Sequence, residues 1–149
     1  MFGFGPRRAA LPGLSVTGPR CGGSIDRHVR QYENVLQAYR MVDCRGTPSN
    51  WQSRKRFSAA GFGVDSAGRA VFVHTRTPYR MNVLNRMLAA PELGIEGMIY
   101  MEGGPEASLV VNDAGHRVSE IGSYEDGFHE SDDNHDFWDI PNIVAFERR

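Results

Sequence analysis

The residues best suited to chemistry lie in one run, Tyr100-Met101-Glu102-Gly103-Gly104-Pro105-Glu106-Ala107-Ser108-Leu109. A short apolar run ending at Met101-Glu102 reads as a strand. Gly103-Gly104-Pro105 then forces a sharp turn, because glycine reaches backbone angles that other residues resist and proline fixes the exit. The turn leaves the Glu102 carboxylate at the strand's end. Backbone N–H groups of Gly103 and Gly104 suit an anion such as phosphate when they converge in a nest, and Glu106 and Ser108 add polar groups to the same turn. The plainer reading is that Gly-Gly-Pro only connects two strands tightly.

Other side chains could serve this turn. His74 and Arg76 end an expected strand, where an imidazole acts as acid or base near neutral pH and a guanidinium grips phosphate with two parallel hydrogen bonds. Arg54-Lys55-Arg56 could neutralise the same charge, with Arg56 the most useful of the three; beside Trp51 they also fit an exposed loop. Glu125, Asp126, Glu130, Asp132, Asp133, Asn134, His135 and Asp136 supply oxygen ligands for a hard cation. They lack the glycine and terminal glutamate of an EF-hand loop, so a solvated segment is expected and no metal is assigned. The chain has no Cys-X-X-Cys pair, no Gly-X-Ser-X-Gly elbow and no Gly-Lys-Ser or Gly-Lys-Thr phosphate loop, so zinc, serine-hydrolase and nucleotide chemistry drop out. No cofactor is implied.

Periodicity outlines the elements that would position these groups. Met1 to Gly23 is broken by Gly and Pro every few positions and reads as an irregular lead-in to a unit spanning 24–149. Ser24 is a plausible N-cap, and Ile25, Val29, Tyr32, Val35, Leu36 and Tyr39 predict a helix from about Ser24 to Ala38. Tyr39 to Cys44 reads as a short strand closed by the turn-rich 45–50 segment. Phe57 to Asp65 and Arg69 to Thr75 flank Ser66-Ala67-Gly68, the strongest hairpin signal in the chain. Met81, Leu84, Met87 and Leu88 predict a helix over Tyr79 to Ala90, stopped by Pro91, and Gly94 to Met101 predicts a buried strand. Ser108 to Asn112 gives a strand with a turn at Asp113-Ala114-Gly115, and Pro141 to Phe146 gives a closing strand. Strands outnumber helices and the two alternate, so the expected class is α+β, with a mixed sheet and two helices.

Composition narrows the function classes. A chain of 149 residues suits a single core. With 40% hydrophobic and 23% charged residues it is not a fully disordered chain. Net charge is −1, with arginines scattered and balanced by the C-terminal acids, which does not suggest nucleic acid. No run approaches the roughly 18 apolar residues of a membrane helix, and Ala9 to Leu14, interrupted by Pro12, is too short and polar for a secretory leader. Cys21 and Cys44 either pair in an oxidising compartment or stand as small buried residues, and the base rate favours the second.

Ser58 to Leu109 taken whole resembles the phosphodiester glycosidase family of bacteria and the lysosomal uncovering enzyme. The similarity rests on a Ser-Ala-Ala-Gly-Phe-Gly-Val-Asp strand, a hairpin at Gly68, the strand Val71-Phe72-Val73-His74-Thr75, a helix around Leu84 to Leu88 and Tyr100-Met101-Glu102-Gly103-Gly104-Pro105, in the family's order. Ile140-Pro141-Asn142-Ile143 is similar to the family's closing Val-Pro-Asn strand. Glu102 stands where the family has Asp, Glu106 and Ala107 where many members have Ser and Thr, and Ala59 and Ala60 where members often have Arg and Thr. The Asn-Gly-Phe type motif of the family's front half has no counterpart, so the chain is expected to be the C-terminal part of such a domain, either a fragment or a divergent member.

The resemblance implies hydrolysis of a sugar-1-phosphodiester. The expected roles are acid or base for Glu102, second carboxylate for Glu106, phosphate contact through the N–H groups of Gly103 and Gly104, and further contacts from Ser108, Arg56, His74 and Arg76. It implies a sugar-phosphate or glycan partner and an extracytoplasmic setting. The alternatives are a non-catalytic sugar-phosphate-binding remnant, and a structural half-domain whose exposed sheet edges drive homo-oligomerisation.

Overall fold

The small residues between Ser58 and Val64 let one strand lie at the centre of the molecule with neighbours pressed on both its faces. The structure, a computed structural model, describes residues 1–18, 21–124 and 131–147. In chain order the elements are β1 (Phe2–Pro6), β2 (Leu14–Val16), α1 (Ile25–Gln31), β3 (Tyr32–Leu36), β4 (Arg40–Val42), β5 (Arg56–Asp65), β6 (Ala70–Arg80), α2 (Met81–Leu88), β7 (Ile95–Gly103), β8 (Ser108–Asp113) and β9 (His116–Ile121). The architecture is α+β and mostly strand. Among the described residues there are two helices and three antiparallel sheets, ordered β2-β1-β3, β4-β7-β5-β6 and β8-β9. Every strand pairing among the described residues is antiparallel, which corrects the expected mixed sheet.

The four-stranded sheet is covered on both faces, which is why β5 is buried almost throughout. On one face Met41, Val42, Ala59, Met81, Leu84, Leu88, Ile95 and Met98 form a core beneath α2. Methionine fills irregular space, and here it fills the hollow left by glycine: a Cβ at Gly61 would stand 3.2 Å from Met41 Sδ and 3.3 Å from Met98 Sδ. On the other face Phe2, Phe62, Val64 and Ile99 join the central sheet to the N-terminal one, with Phe2 and Phe62 ring centroids 5.2 Å apart. The β5–β6 hairpin closes as expected. Asp65 Oδ1 accepts from Ala67 N at 3.0 Å and Arg69 N at 2.9 Å, and these bonds, the Arg69 N–H first, hold its carboxyl below the usual range. The α2 helix and the β7 strand also follow the expected pattern, although Tyr79 and Arg80 belong to β6.

Three expectations are corrected. The lead-in contains β1 and β2, because its glycines permit close approach as well as breaking regular structure: a Cβ at Gly3 would stand 2.6 Å from both His28 Nε2 and the Tyr32 ring. The helix predicted to Ala38 ends at Gln31, where Tyr32 turns extended and β3 pairs with β1. Ile25 and Val29 are then 50% and 47% exposed, and His28 takes the inward position. The strand predicted over Pro141 to Phe146 is irregular, yet Phe146 still packs on Phe62 at 5.7 Å and Phe72 at 5.5 Å. Cys21 and Cys44 are bonded, with Cα atoms 5.5 Å apart. No described helix is long and apolar enough to cross a membrane.

His28 and the N-terminal amine are both held below their ordinary values, His28 by burial and then by the amine's charge, the amine by burial and then by Arg40. A group whose folded pKa is depressed in this way binds its proton more readily when unfolded. Stability therefore rises with pH through the window below 6.5 for His28 and below 8.0 for the amine, and falls on acidification. Urea midpoints are expected to drop steadily between about pH 8 and pH 5. In His28→Gln the slope below pH 6.5 should flatten; an unchanged slope would place the titration elsewhere.

Candidate functional site

Antiparallel register determines which chemistry-bearing side chains share a face. Ala60 lies between His74 of β6 and Glu102 of β7, so the imidazole and the carboxylate rise from the same face on either side of a methyl group. Two strand spacings put their backbones about 10 Å apart. Ala60 is 8% exposed and Glu102 is exposed, so the residues form a shelf with a small-residue floor. Phe62, Phe72 and Phe146 bound it on one side. The turn after β7 and the chain around Gly122 and Ser123 bound it on the other.

That turn is a single 3-10 turn over Gly104–Glu106, with Gly104 at φ +69° as only glycine readily allows. Gly104 and Pro105 are buried, and the backbone of Gly122 packs against the carbonyls of Gly104 and Ala107. Gly103 is extended and pairs with Ala59, and its N–H donates to Glu102 Oε1 at 3.1 Å. Gly104 is thus enclosed, and the Gly103 N–H lies within the chain's own hydrogen bonding. Glu106 is half-buried beside Gly104, and Ser108 opens β8 opposite Ile121.

His74 Nε2 lies 3.2 Å from Ala107 O, so this nitrogen carries the proton and Nδ1 is the acceptor in the neutral ring. Burial holds the His74 pKa below its ordinary value, aided by the Arg76 charge and opposed by the Ala107 carbonyl and by Glu120. The ring is neutral near pH 7. The carboxylate whose charge acts on it is Glu120 of β9, paired opposite Leu109, and not Glu102. Sequence reasoning missed Glu120 because it assigned β8 and its turn without the returning strand.

Arg76 is not available as a phosphate clamp. Its Nε donates to Asp132 Oδ1 at 2.8 Å, Nη1 to Ile121 O at 3.0 Å, and Nη2 to Asn134 O at 2.8 Å and Asp132 O at 3.3 Å. This fastens β6 to the end of β9 and to part of the acidic segment; Glu125, Asp126 and Glu130 lie outside the described residues. Ser58 reinforces the joint, donating to Arg76 O at 2.7 Å and accepting from Ser123 N at 2.8 Å while fully buried. Arg56 is exposed at the start of β5, opposite Arg80 and four residues from Ala60, about 13 Å away along the strand. Trp51, beside the Arg54-Lys55-Arg56 triplet, packs edge-on against Tyr39 and Tyr100 and donates to Arg40 O at 2.9 Å. Among the described residues no group of three or more His, Cys, Asp or Glu is placed to hold a metal ion.

No family model, no curated protein and no solved structure matches the chain.

Proposed function

We propose that the chain is the C-terminal part of a phosphodiester glycosidase-like domain and that it hydrolyses sugar-1-phosphodiesters at the Ala60 shelf. The observation that carries this reading is the exposed Glu102 carboxylate on the same sheet face as a neutral His74, with only Ala60 between them. Glu102 takes a proton from water as the water attacks the anomeric carbon; the C–O bond to phosphate breaks, and the phosphomonoester leaves with the bonding pair. His74 Nδ1 accepts a hydrogen bond from a sugar hydroxyl while Nε2–H stays on Ala107 O. The Phe62, Phe72 and Phe146 cluster supplies an apolar face to the sugar ring. Arg56 is the cation left for the phosphate, and Glu106 is the second carboxylate.

A synthetic sugar-1-phosphodiester tests the assignment. Glu102→Gln should lower kcat by about a hundredfold with little change in KM, and turnover equal to the parent sinks the role of Glu102. The second reading, a module that binds sugar phosphate without cleaving it, is favoured by the burial of Gly104 and Pro105 and by the full engagement of Arg76. Saturable binding with no release of free sugar would select it.

A further inference from the structure

We infer that a second site, unrelated to the Ala60 shelf, binds a small molecule carrying a pyrophosphate group in the cleft between α1 and the loop after β1. The cleft encloses about 480 Å³ and is lined by Arg7, Arg8, Leu11, Arg27, Arg30 and Gln31. It shares no residue with the shelf. Four guanidinium groups meet here on a chain whose net charge is −1.

The fold gathers these four exposed cations and anchors the side chain of one of them. Arg7 is anchored at the end of α1 by its own N–H to Gln31 O at 2.9 Å and by Nε to Tyr32 O at 3.3 Å. The loop is shaped by Leu11 N to Arg8 O at 3.0 Å, and its far end is pinned by Tyr32 Oη to Pro12 O at 3.1 Å. Arg27 and Arg30 stand three apart on α1 and so share one side of it. Among the described residues no carboxylate lies within ion-pair distance of Arg7, Arg8, Arg27 or Arg30. Attraction to the negative helix end explains a cation at Arg30 but not the convergence of Arg7 and Arg8 from a loop. Unpaired like charges repel, and an anion of two or more charges offsets that repulsion.

The chemistry of the lining narrows the ligand. Each guanidinium presents a planar fork that matches a pair of phosphate oxygens, so neighbouring phosphates satisfy several forks at once. The cleft volume falls in the range of small-molecule sites. Leu11 offers an aliphatic contact and Gln31 an amide for the rest of the ligand. No aromatic ring lines the cleft, so the stacking platform typical of single-stranded nucleic acid is missing.

Calorimetric titration of the whole chain with inorganic pyrophosphate, at constant ionic strength, tests the site. Saturation at one equivalent is expected, with at least about tenfold weaker binding in the Arg27→Gln/Arg30→Gln double variant. A double variant of the exposed Arg45→Gln and Arg117→Gln, which removes the same charge elsewhere, should bind as the parent does. Sulfate at matched ionic strength should bind at least about tenfold more weakly than pyrophosphate. Amide shifts on titration should centre on Arg8 and Gln31, a readout that does not depend on the variants. Failure to saturate, equal loss in both double variants, or equal affinity for sulfate would each overturn the proposal.

Discussion

Replacing Cys21 and Cys44 together by serine lowers the unfolding free energy by about 3 kcal/mol. The pair is separated by 23 residues, and closing a loop of that length removes this much conformational freedom from the unfolded chain. The bond has a structural setting as well. Cys44 follows Asp43, whose Oδ1 accepts from Arg45 N and Thr47 N, each at 2.9 Å. Burial raises the Asp43 pKa, but these bonds outweigh it and hold the carboxyl below its usual range. The disulfide thus ties a rigid turn at the end of β4 to the segment that follows β2. Urea unfolding of the double-serine variant, and of the parent with and without reductant, measures the effect. A loss below about 1 kcal/mol in both would show that packing around Phe2 holds the N-terminal sheet unaided.

Gly122→Ala destabilises by a similar or larger amount, at least about 3 kcal/mol, because the new methyl group meets backbone that no side-chain rotation can clear. Its carbon would fall on the Gly104 carbonyl and within 2.7 Å of Ala107 O and 3.0 Å of Ala107 Cβ. The chain after β9 is held in place by Ser123 N, which donates to Ser58 Oγ of β5 at 2.8 Å, and by Asn134 Nδ2, which donates to Gly122 O at 2.7 Å. The control is Gly13→Ala, where a Cβ meets nothing within 4 Å and the backbone does not need positive φ. That substitution is expected to be neutral or to stabilise by up to about 1 kcal/mol. Similar thermal midpoints for the two variants would mean that the approach of Gly122 to the turn is not a constraint on the fold.

The parts of the fold that the sequence announces are those with local causes. Ser66-Ala67-Gly68 between two apolar runs fixes a hairpin because the signal and the structure occupy the same residues. Met81, Leu84 and Leu88 specify α2 for the same reason. The N-terminal sheet was not legible, since Gly3 and Gly5 look like breaks when the strand they belong to is short and their reason for being glycine, at least for Gly3, lies in His28 and Tyr32. Val29, Tyr32, Val35 and Leu36 satisfy a helical spacing, but from Tyr32 onward the tertiary pairing with β1 decides in favour of a strand.

The candidate site divides in the same way. Glu102 and His74 could be named from their types, but their placement across Ala60 depends on the register and on the irregularity in the β5–β7 pairing between Ala60 and Gly61. Arg76 looked like an anion clamp because its partners at Ile121, Asp132 and Asn134 lie 45 to 58 residues away. The arginine cleft was hidden by the reverse effect: Arg7, Arg8, Arg27 and Arg30 are dispersed in the chain, and only the meeting of β1 with the end of α1 gathers them.

The three phenylalanines that meet on Phe62 also impose an order on assembly. Phe2 is synthesised some 60 residues before the ring it packs on, and Phe146 long after it, so the N-terminal sheet has nothing to cover until β5, β6 and β7 have formed. Contacts so distant in sequence close slowly. A nascent chain would therefore carry the bare apolar faces of β1 and β3 until the central hairpin and β7 leave the ribosome, and that interval is when it would depend most on a chaperone.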